Sequence, residues 1–358
     1  MGTSSLSGSV VIMPGPLRQF VTQLFAKQGF PEEDAAIVAD HLIEADLRGV
    51  YSHGVIRAAE YSKRLKNGLM NPRPNICVLR ETAATALMDG DNGSGQVVGV
   101  RAMEVAIHKA KQAGVGYVVV RSSNHFGTCA YYAQMAVSHD MIGVVTNAGG
   151  RKIMAPWGGV TPLLSNNPFA AALPTDKEFP VVLDMACSVV ARGKINHAAK
   201  VGLPIPSGWA LNRRGEPTTD PREAFEGLIQ PVGGYKGYGL AFTIAALAEL
   251  GAQLSAGEST TSASGSPLPT DSAKHCFQAI DVAAFMDPVE FKARMDSHVE
   301  RMHASQLARG TERIYVPGEI EWLNRKEKLE SGIPVATAVW KELLACSEEV
   351  GVEPPLTI

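Results

Sequence analysis

Two stretches of this sequence carry residue types that exchange protons and hold anions. The first is Ser52-His53-Gly54-Val55-Ile56-Arg57-Ala58-Ala59-Glu60-Tyr61, just after an apolar-periodic run that ends near Leu47. Read as the start of a helix, it sets His53, Arg57 and Tyr61 at i, i+4 and i+8, hence on one face. An imidazole, a permanent cation with a planar fork of donors and a phenol facing one way can hold a small carboxylate and exchange a proton beside it. The plainer reading is that Ser52 and His53 cap a helix while Arg57 pairs with a surface acid. The second stretch is Ser123-Asn124-His125-Phe126-Gly127-Thr128-Cys129-Ala130-Tyr131-Tyr132, directly after the β-branched run Tyr117 to Val120. It places a histidine where a strand hands over to a helix, a common position for functional groups in α/β proteins.

The elements that position these residues belong to an ordinary globular chain. At 358 residues and 45% hydrophobic content, it can bury roughly three-quarters of its unfolded surface. The formal net charge is −3 and no Lys/Arg block occurs, which argues against a nucleic-acid partner and for small-molecule ligands. Cys77, Cys129, Cys187, Cys276 and Cys346 are far apart and form no C-x-x-C. That usage fits a reducing compartment and offers neither a disulfide framework nor a zinc site. The opening MGTSSLSGSVVIM lacks the pattern of a signal peptide and no 18-residue apolar run occurs, so the expected location is cytoplasmic, with no membrane partner.

In chain order, residues 15–47 predict two helices, with apolar stripes Leu17, Phe20, Val21, Leu24, Phe25 and then Ile37, Val38, His41, Leu42. Pro31 and three acids open the second, and His41 on its stripe reads as a packed core histidine. The helix carrying His53 runs to about Lys66, with Asn67-Gly68 as its C-cap. Beyond the break at residues 71–75, Thr85 to Asp89 predicts a strand and Gly90 to Gly95 a turn-rich loop. Gly93, Gly95 and Gly99 give G-x-G-x-x-x-G, one residue off the dinucleotide fingerprint, so a Rossmann site is rejected. A helix from Gln96 to Gln112 and a strand from Val115 to Arg121 then deliver His125. Ala130 to His139 predicts a helix, Ile142 to Thr146 a strand and Phe179 to Leu183 another, which ends in Asp184-Met185-Ala186-Cys187-Ser188. That acid can touch a ligand or cap a helix over Val189 to Ala199. Pro231-Val232-Gly233-Gly234-Tyr235-Lys236 opens a long apolar helix reaching Gly251, its bare glycine N–H groups and lysine forming a site for an anion such as a phosphate. Residues 258–271 predict a mobile loop. His275 to Asp281 predicts a strand, Pro288 to Gln306 a helix, and the remainder a helical tail.

Taken together, DLRGVYSHGVIR, NHFG, APWGG, NNP, LDMA and GGYKGYGL through to VPGE resemble the malate/L-lactate/sulfolactate/ureidoglycolate dehydrogenase family over nearly the whole chain. The resemblance implies an α/β fold with a large mixed-sheet cofactor domain of non-Rossmann type and a helical domain. The boundaries expected are 1–75 with 288–358 for the helical domain and 76–287 for the mixed-sheet region. It implies hydride transfer between NAD or NADP and a small 2-hydroxy/2-oxo acid, or NADPH-dependent reduction of a cyclic imine 2-carboxylate, by a homodimer. His125 matches the acid/base; His53, preceded by Ser52, matches the proton donor of imine-reducing members. Arg57 matches the substrate-carboxylate ligand, Tyr61 a substrate neighbour, and Asn166 stands where a substrate-side threonine is usual. Asp184, Met185, Ala186, Lys236, the region around Lys274 and His275, and Phe126 and Gly127 of NHFG match cofactor contacts. Cys187 replaces the threonine of D-M-A-T-S. Two other classes remain open: a metal-dependent hydrolase or lyase using His53, His125 and Asp184, and a binding protein without chemistry.

Overall fold

The computed structural model describes residues 8–251 and 272–358, apart from the side chains of Lys200 and Val201. The loop expected over 258–271 lies outside the described residues. The chain opens with β1 (Ser9–Ile12), α1 (Pro14–Lys27), α2 (Glu32–Leu47) and α3 (Ala58–Lys66). Both long stripes face inward: Leu17, Phe20, Val21, Leu24, Phe25, Val38 and Leu42 are buried in one apolar core. Proline at the start of α1 and Glu32, Glu33 and Asp34 in the first turn of α2 suit positions where the helix leaves N–H groups unpaired.

Next come β2 (Cys77–Glu81), β3 (Thr85–Gly93), α4 (Gly95–Ala113), β4 (Val115–Ser123), α5 (Cys129–Val137), β5 (Met141–Ala148), β6 (Phe169–Leu173) and β7 (Val181–Met185). Of the loop expected at Gly90 to Gly95, residues 90–93 are instead the bulged end of β3, and Gly95 opens α4. Asp91 and Asn92 sit at positive φ and the pairing with β4 skips from Asp89 to Gly93. The three spaced glycines serve close packing. A Cβ at Gly95 would lie 2.5 Å from the Asn124 carbonyl oxygen, and one at Gly99 would lie 2.6 Å from the Tyr132 ring.

A smaller lobe follows, with α6 (Arg192–Val201), β8 (Ala210–Leu211), β9 (Pro217–Thr218), α7 (Pro221–Glu226) and β10 (Leu228–Ile229), then α8 (Tyr235–Ala248). The first of these helices starts three residues later than its sequence suggests, because Ser188 and Val189 are taken by backbone pairing to Pro231 and Gln230. Ile195, Ile205, Ala210, Ala224, Ile229 and Ile244 make a core of their own. The chain ends with β11 (Ala273–Asp281), α9 (Pro288–His303), α10 (Glu319–Ser331), β12 (Ile333–Ala336) and α11 (Thr337–Val350).

The main sheet has seven strands in the order β2-β3-β4-β11-β5-β6-β7. Only β3 and β4 run parallel; every other pairing in it is antiparallel. This mixed α/β sheet is not the parallel sheet of a Rossmann domain. Val118, Val120, Val145, Ala170 and Phe277 turn one face of it onto Ala102, Met103, Ala106, Tyr132 and Ala133 of α4 and α5. Away from this sheet β1 pairs antiparallel with β12, and the inner faces of α1, α2 and α11 share one core. The exposed helix α9 ties by Lys292 and Glu300 to Asp140 and Lys177 of the sheet region.

Candidate active site

The continuous helical face expected for His53, Arg57 and Tyr61 does not form. Tyr51–His53 and Val55–Arg57 are two single 3-10 turns, and α3 starts only at Ala58. They are separated by Gly54, whose backbone is extended (φ −85°, ψ −152°). The cause lies beneath the turn. Asp46, at the end of α2, accepts a hydrogen bond from the Val55 N–H at 2.8 Å, and a Cβ on Gly54 would fall 1.8 Å from its carboxylate. Any side chain at position 54 would displace that buried acid. Burial lifts the Asp46 carboxyl to about 7, opposed by the Val55 N–H and by Lys328. Lys328 comes from α10, where it lies 4.9 Å over the Tyr51 ring and donates to the Leu47 carbonyl.

The broken helix nevertheless brings the expected groups together. His125, at the exit of β4, stacks on His53 with ring centroids 5.5 Å apart and planes at 26°. The Tyr61 hydroxyl lies 2.7 Å from His125 Nδ1, and Ser52 Oγ lies 2.9 Å from His53 Nδ1. Arg57 donates from Nε to the Ser52 carbonyl and from Nη1 to Glu60, both at 2.7 Å. The surface-acid pairing is therefore real, but Nη2 has no partner among the described residues and stays available to a carboxylate.

His53 is half-buried, and its pKa is lowered to about 4 by removal from solvent and then by Arg57 and His41. His125 is exposed, so solvent still reaches it. The protein crowded around it, followed by His53, Arg57, His41 and His275, lowers its pKa well below the ordinary value. Since water retains access, the desolvation part is smaller than for a sealed side chain. Both rings are neutral near pH 7.

The loop carrying His125 is held from all sides. Asn124 donates to the Asn92 and Gly93 carbonyls at 2.9 Å and accepts from Arg64 at 2.8 Å. Gly127 has φ +79°, and a Cβ there would lie 1.9 Å from the ring of His41. His41 is sealed in the core, and its Nε2 accepts the Thr128 N–H.

The residues matched to cofactor contacts fall into two groups. Phe126 and His275 are sealed, stacked 4.2 Å apart, with both ring nitrogens of His275 bonded, to Asn147 and Ser123. As placed they support the loop from beneath and offer no side-chain surface to a ligand. Asp184 accepts the Ala130 N–H at 2.8 Å and so caps α5, while Met185 and Ala186 beside it are half-buried. Asn166 is half-buried and its carbonyl accepts the N–H of Cys187, which is itself sealed. Lys274 pairs with Glu249 at 3.0 Å. Lys236 is exposed in the first turn of α8, behind Gly233 and Gly234 at φ +61° and +67°. Among the described residues no group of three or more His, Cys, Asp or Glu side chains is arranged to hold a metal.

Sequence reasoning missed Asp46 and Gln96. Gln96 donates to the Tyr61 hydroxyl at 2.9 Å from a fully buried position. Neither residue carries a spacing signal, since each acts through a contact made only in the folded chain.

Comparison with known proteins bears on this arrangement. The profile of the malate/L-lactate dehydrogenase family matches residues 13–344. The L-sulfolactate dehydrogenase of Methanocaldococcus jannaschii is 41% identical over 96% of this chain and 98% of its own. Its solved structure superposes with a TM-score of 0.87, at 39% identity over 96% of this chain and 98% of that one. The malate dehydrogenase of Pyrococcus horikoshii is 42% identical over 94% of each chain. A ureidoglycolate dehydrogenase (NAD(+)) of Escherichia coli is 29% identical over 92% of this chain and 93% of its own.

Proposed function

The chain belongs to the malate/L-lactate dehydrogenase family, and from that premise we propose that it interconverts a small 2-hydroxy acid and its 2-oxo acid with a nicotinamide dinucleotide. The acids named in its relatives, malate and sulfolactate, are the first substrates to try. The observation that carries the reading is the convergence of two neutral histidines and an arginine, with the buried Tyr61 phenol behind them on His125.

The chain's residues fit the cofactor. Gly233 leaves open space where a side chain would stand, and a Cβ on Gly234 would meet the Trp157 ring at 3.3 Å, at the N-terminus of a helix whose first turn carries an exposed Lys236. Bare N–H groups and a lysine suit a phosphate-bearing ligand, and of the further residues matched to cofactor contacts the half-buried Met185 and Ala186 would add to the hold. Bound nicotinamide would supply the acceptor or donor of hydride. Arg57 holds the substrate carboxylate and fixes which face of the carbinol carbon is presented. His125 takes the hydroxyl proton on oxidation and returns it on reduction; His53, oriented by Ser52, lies against it and takes over for an imine. The choice between NAD and NADP rests on the name of one relative, which favours NAD.

The reading extends to the assembly and its compartment. Leu240, Phe242, Leu247 and Leu250 leave α8 and its end with exposed apolar side chains, which supports a homodimer, to be measured by light scattering. All five cysteines are free thiols, which supports a cytoplasmic setting. No described helix is long and apolar enough to cross a membrane.

Purified protein mixed with NADH or NADPH and a panel of 2-oxo acids, with and without chelator, tests the function. Loss of reduced-nicotinamide absorbance that ignores chelator is expected. A chelator-sensitive hydrolysis or elimination that needs no nicotinamide would overturn it.

A further inference from the structure

Behind His125 runs a buried chain of groups that can each both give and take a hydrogen bond. Tyr61 Oη lies 2.7 Å from His125 Nδ1, Gln96 Nε2 lies 2.9 Å from Tyr61 Oη, and Ser94 Oγ lies 2.7 Å from Gln96 Oε1. Ser94, Gln96 and Tyr61 are at most 1% exposed, so water does not complete their bonding. Ser94 is the N-cap of α4, where a serine oxygen ordinarily accepts a helix N–H. It makes no such bond; its hydroxyl is committed to Gln96. Gly95 lets this end of α4 approach so closely that a Cβ there would lie 2.6 Å from the His125 carbonyl oxygen.

The direction of this chain decides which nitrogen of His125 carries the proton. With the Gln96 amide N–H on the phenol oxygen, the phenol proton can go only to Nδ1, and neutral His125 then keeps its hydrogen on Nε2. In that setting Nε2 has no lone pair for a substrate hydroxyl. A half-turn of the amide exchanges two atoms of nearly equal size. The amide then donates to Ser94 Oγ, the phenol donates to the Gln96 carbonyl, and Nδ1–H donates to the phenol oxygen. The three contacts along the chain are kept in both directions and the proton count is unchanged, but in the second the Ser94 hydroxyl proton gives up the Gln96 carbonyl it has in the first. Only the second leaves Nε2 free.

We propose that Gln96 is a positioning residue whose amide orientation sets the tautomer of His125 and so switches it between a resting form and a base. The proposal rests on His125 being the acid/base. In the working form Nε2 takes the substrate hydroxyl proton, and a bound nicotinamide would accept the hydride from the carbinol carbon. Nδ1–H stays bonded to Tyr61, whose phenol keeps its own proton because burial raises its pKa. Reduction reverses both transfers. The other groups facing His125 are His53 and Arg57 on the turns, His41 on α2 and His275 on β11. None of them bonds to Nδ1.

Two substitutions force opposite settings. Once ionised, Gln96→Glu presents only acceptors, so Tyr61 must donate to it and His125 must hold Nδ1–H. The nearby negative charge then moves the acid limb of kcat/KM for 2-hydroxy-acid oxidation up by about one pH unit. Gln96→Met offers no acceptor, so the phenol donates to Nδ1. Imidazole 15N spectra should then report Nε2–H, and oxidation kcat/KM should drop by roughly tenfold or more. Opposite tautomers from two changes at one position are not what a purely structural role produces. If both variants kept the wild-type tautomer and limb, the switch would be refuted. Should Gln96→Glu not fold, a wild-type tautomer and rate in Gln96→Met refute it alone. His125→Asn separates the two claims: if it retains the limb, the acid/base assignment is wrong, whereas a limb lost in His125→Asn but unmoved in Gln96→Glu removes only the switch.

Discussion

At the scale of residues, the site is a contest over protons and one carboxylate. Arg57 already spends two donors on Ser52 and Glu60, and an incoming acid has to use what remains of the fork. Stranding a charged partner in a buried pair costs about 2–5 kcal/mol, and less where water screens it. Arg57→Ala is therefore expected to lower kcat/KM at least roughly tenfold with little change in cofactor Kd; unchanged kinetics would remove Arg57 from the site. The two histidines are stacked, and a charge on His53 lowers the pKa of His125. Because both are shifted below the ordinary histidine value, the acid limb for oxidation should lie below about pH 6.5. His125→Asn should abolish it and lower kcat by roughly 10², while His53→Asn costs less. The opposite pattern in stopped-flow pH profiles would exchange their roles. His53, Arg57, Tyr61 and His125 were legible in the sequence because their chemistry is rare and their spacing local. Asp46 and Gln96 were not, because a buried acid or amide at a helix end looks the same whatever it touches.

At the scale of elements, legibility followed length and period. The stripes of α1, α2 and α4 announce themselves over several turns. β1, β8, β9, β10 and β12 have at most four residues each, too few for an alternation to show, and β6 hides behind a run rich in proline and glycine. The turn after α2 misled for a different reason. A helical pattern continues through Gly54 in the sequence, but the Asp46 carboxylate under that glycine claims the Val55 N–H that a helix would have used. The start of α8 gives the element-scale prediction. Lys236→Ala should raise the cofactor Kd with a shallower salt dependence and leave the KM of the acid nearly unchanged. A titration showing the reverse would move Lys236 to the substrate side.

At the scale of the whole molecule, buried histidines tie stability to pH. His41 and His275 stay neutral in the fold down to about 4 and about 3, chiefly through burial, whereas an unfolded chain takes up protons from about pH 6.5. Their contribution is complete above that value and is lost as pH falls through the folded pKa values. Asp46, held up to about 7, slopes the other way, so the histidine part is read by difference. In denaturant titrations, His41→Gln should lose less stability between pH 7 and pH 5 than wild type does, and equal losses would contradict the account. The pairing of β1 with β12 joins Ser9 to Ala336, and Lys328 of α10 reaches back under the turn that bears His53. On a ribosome, the first helices emerge long before these partners exist. Their core stays open and the turn unsupported until nearly the last residues are made, so a nascent chain carries its catalytic groups for most of its synthesis without being an enzyme.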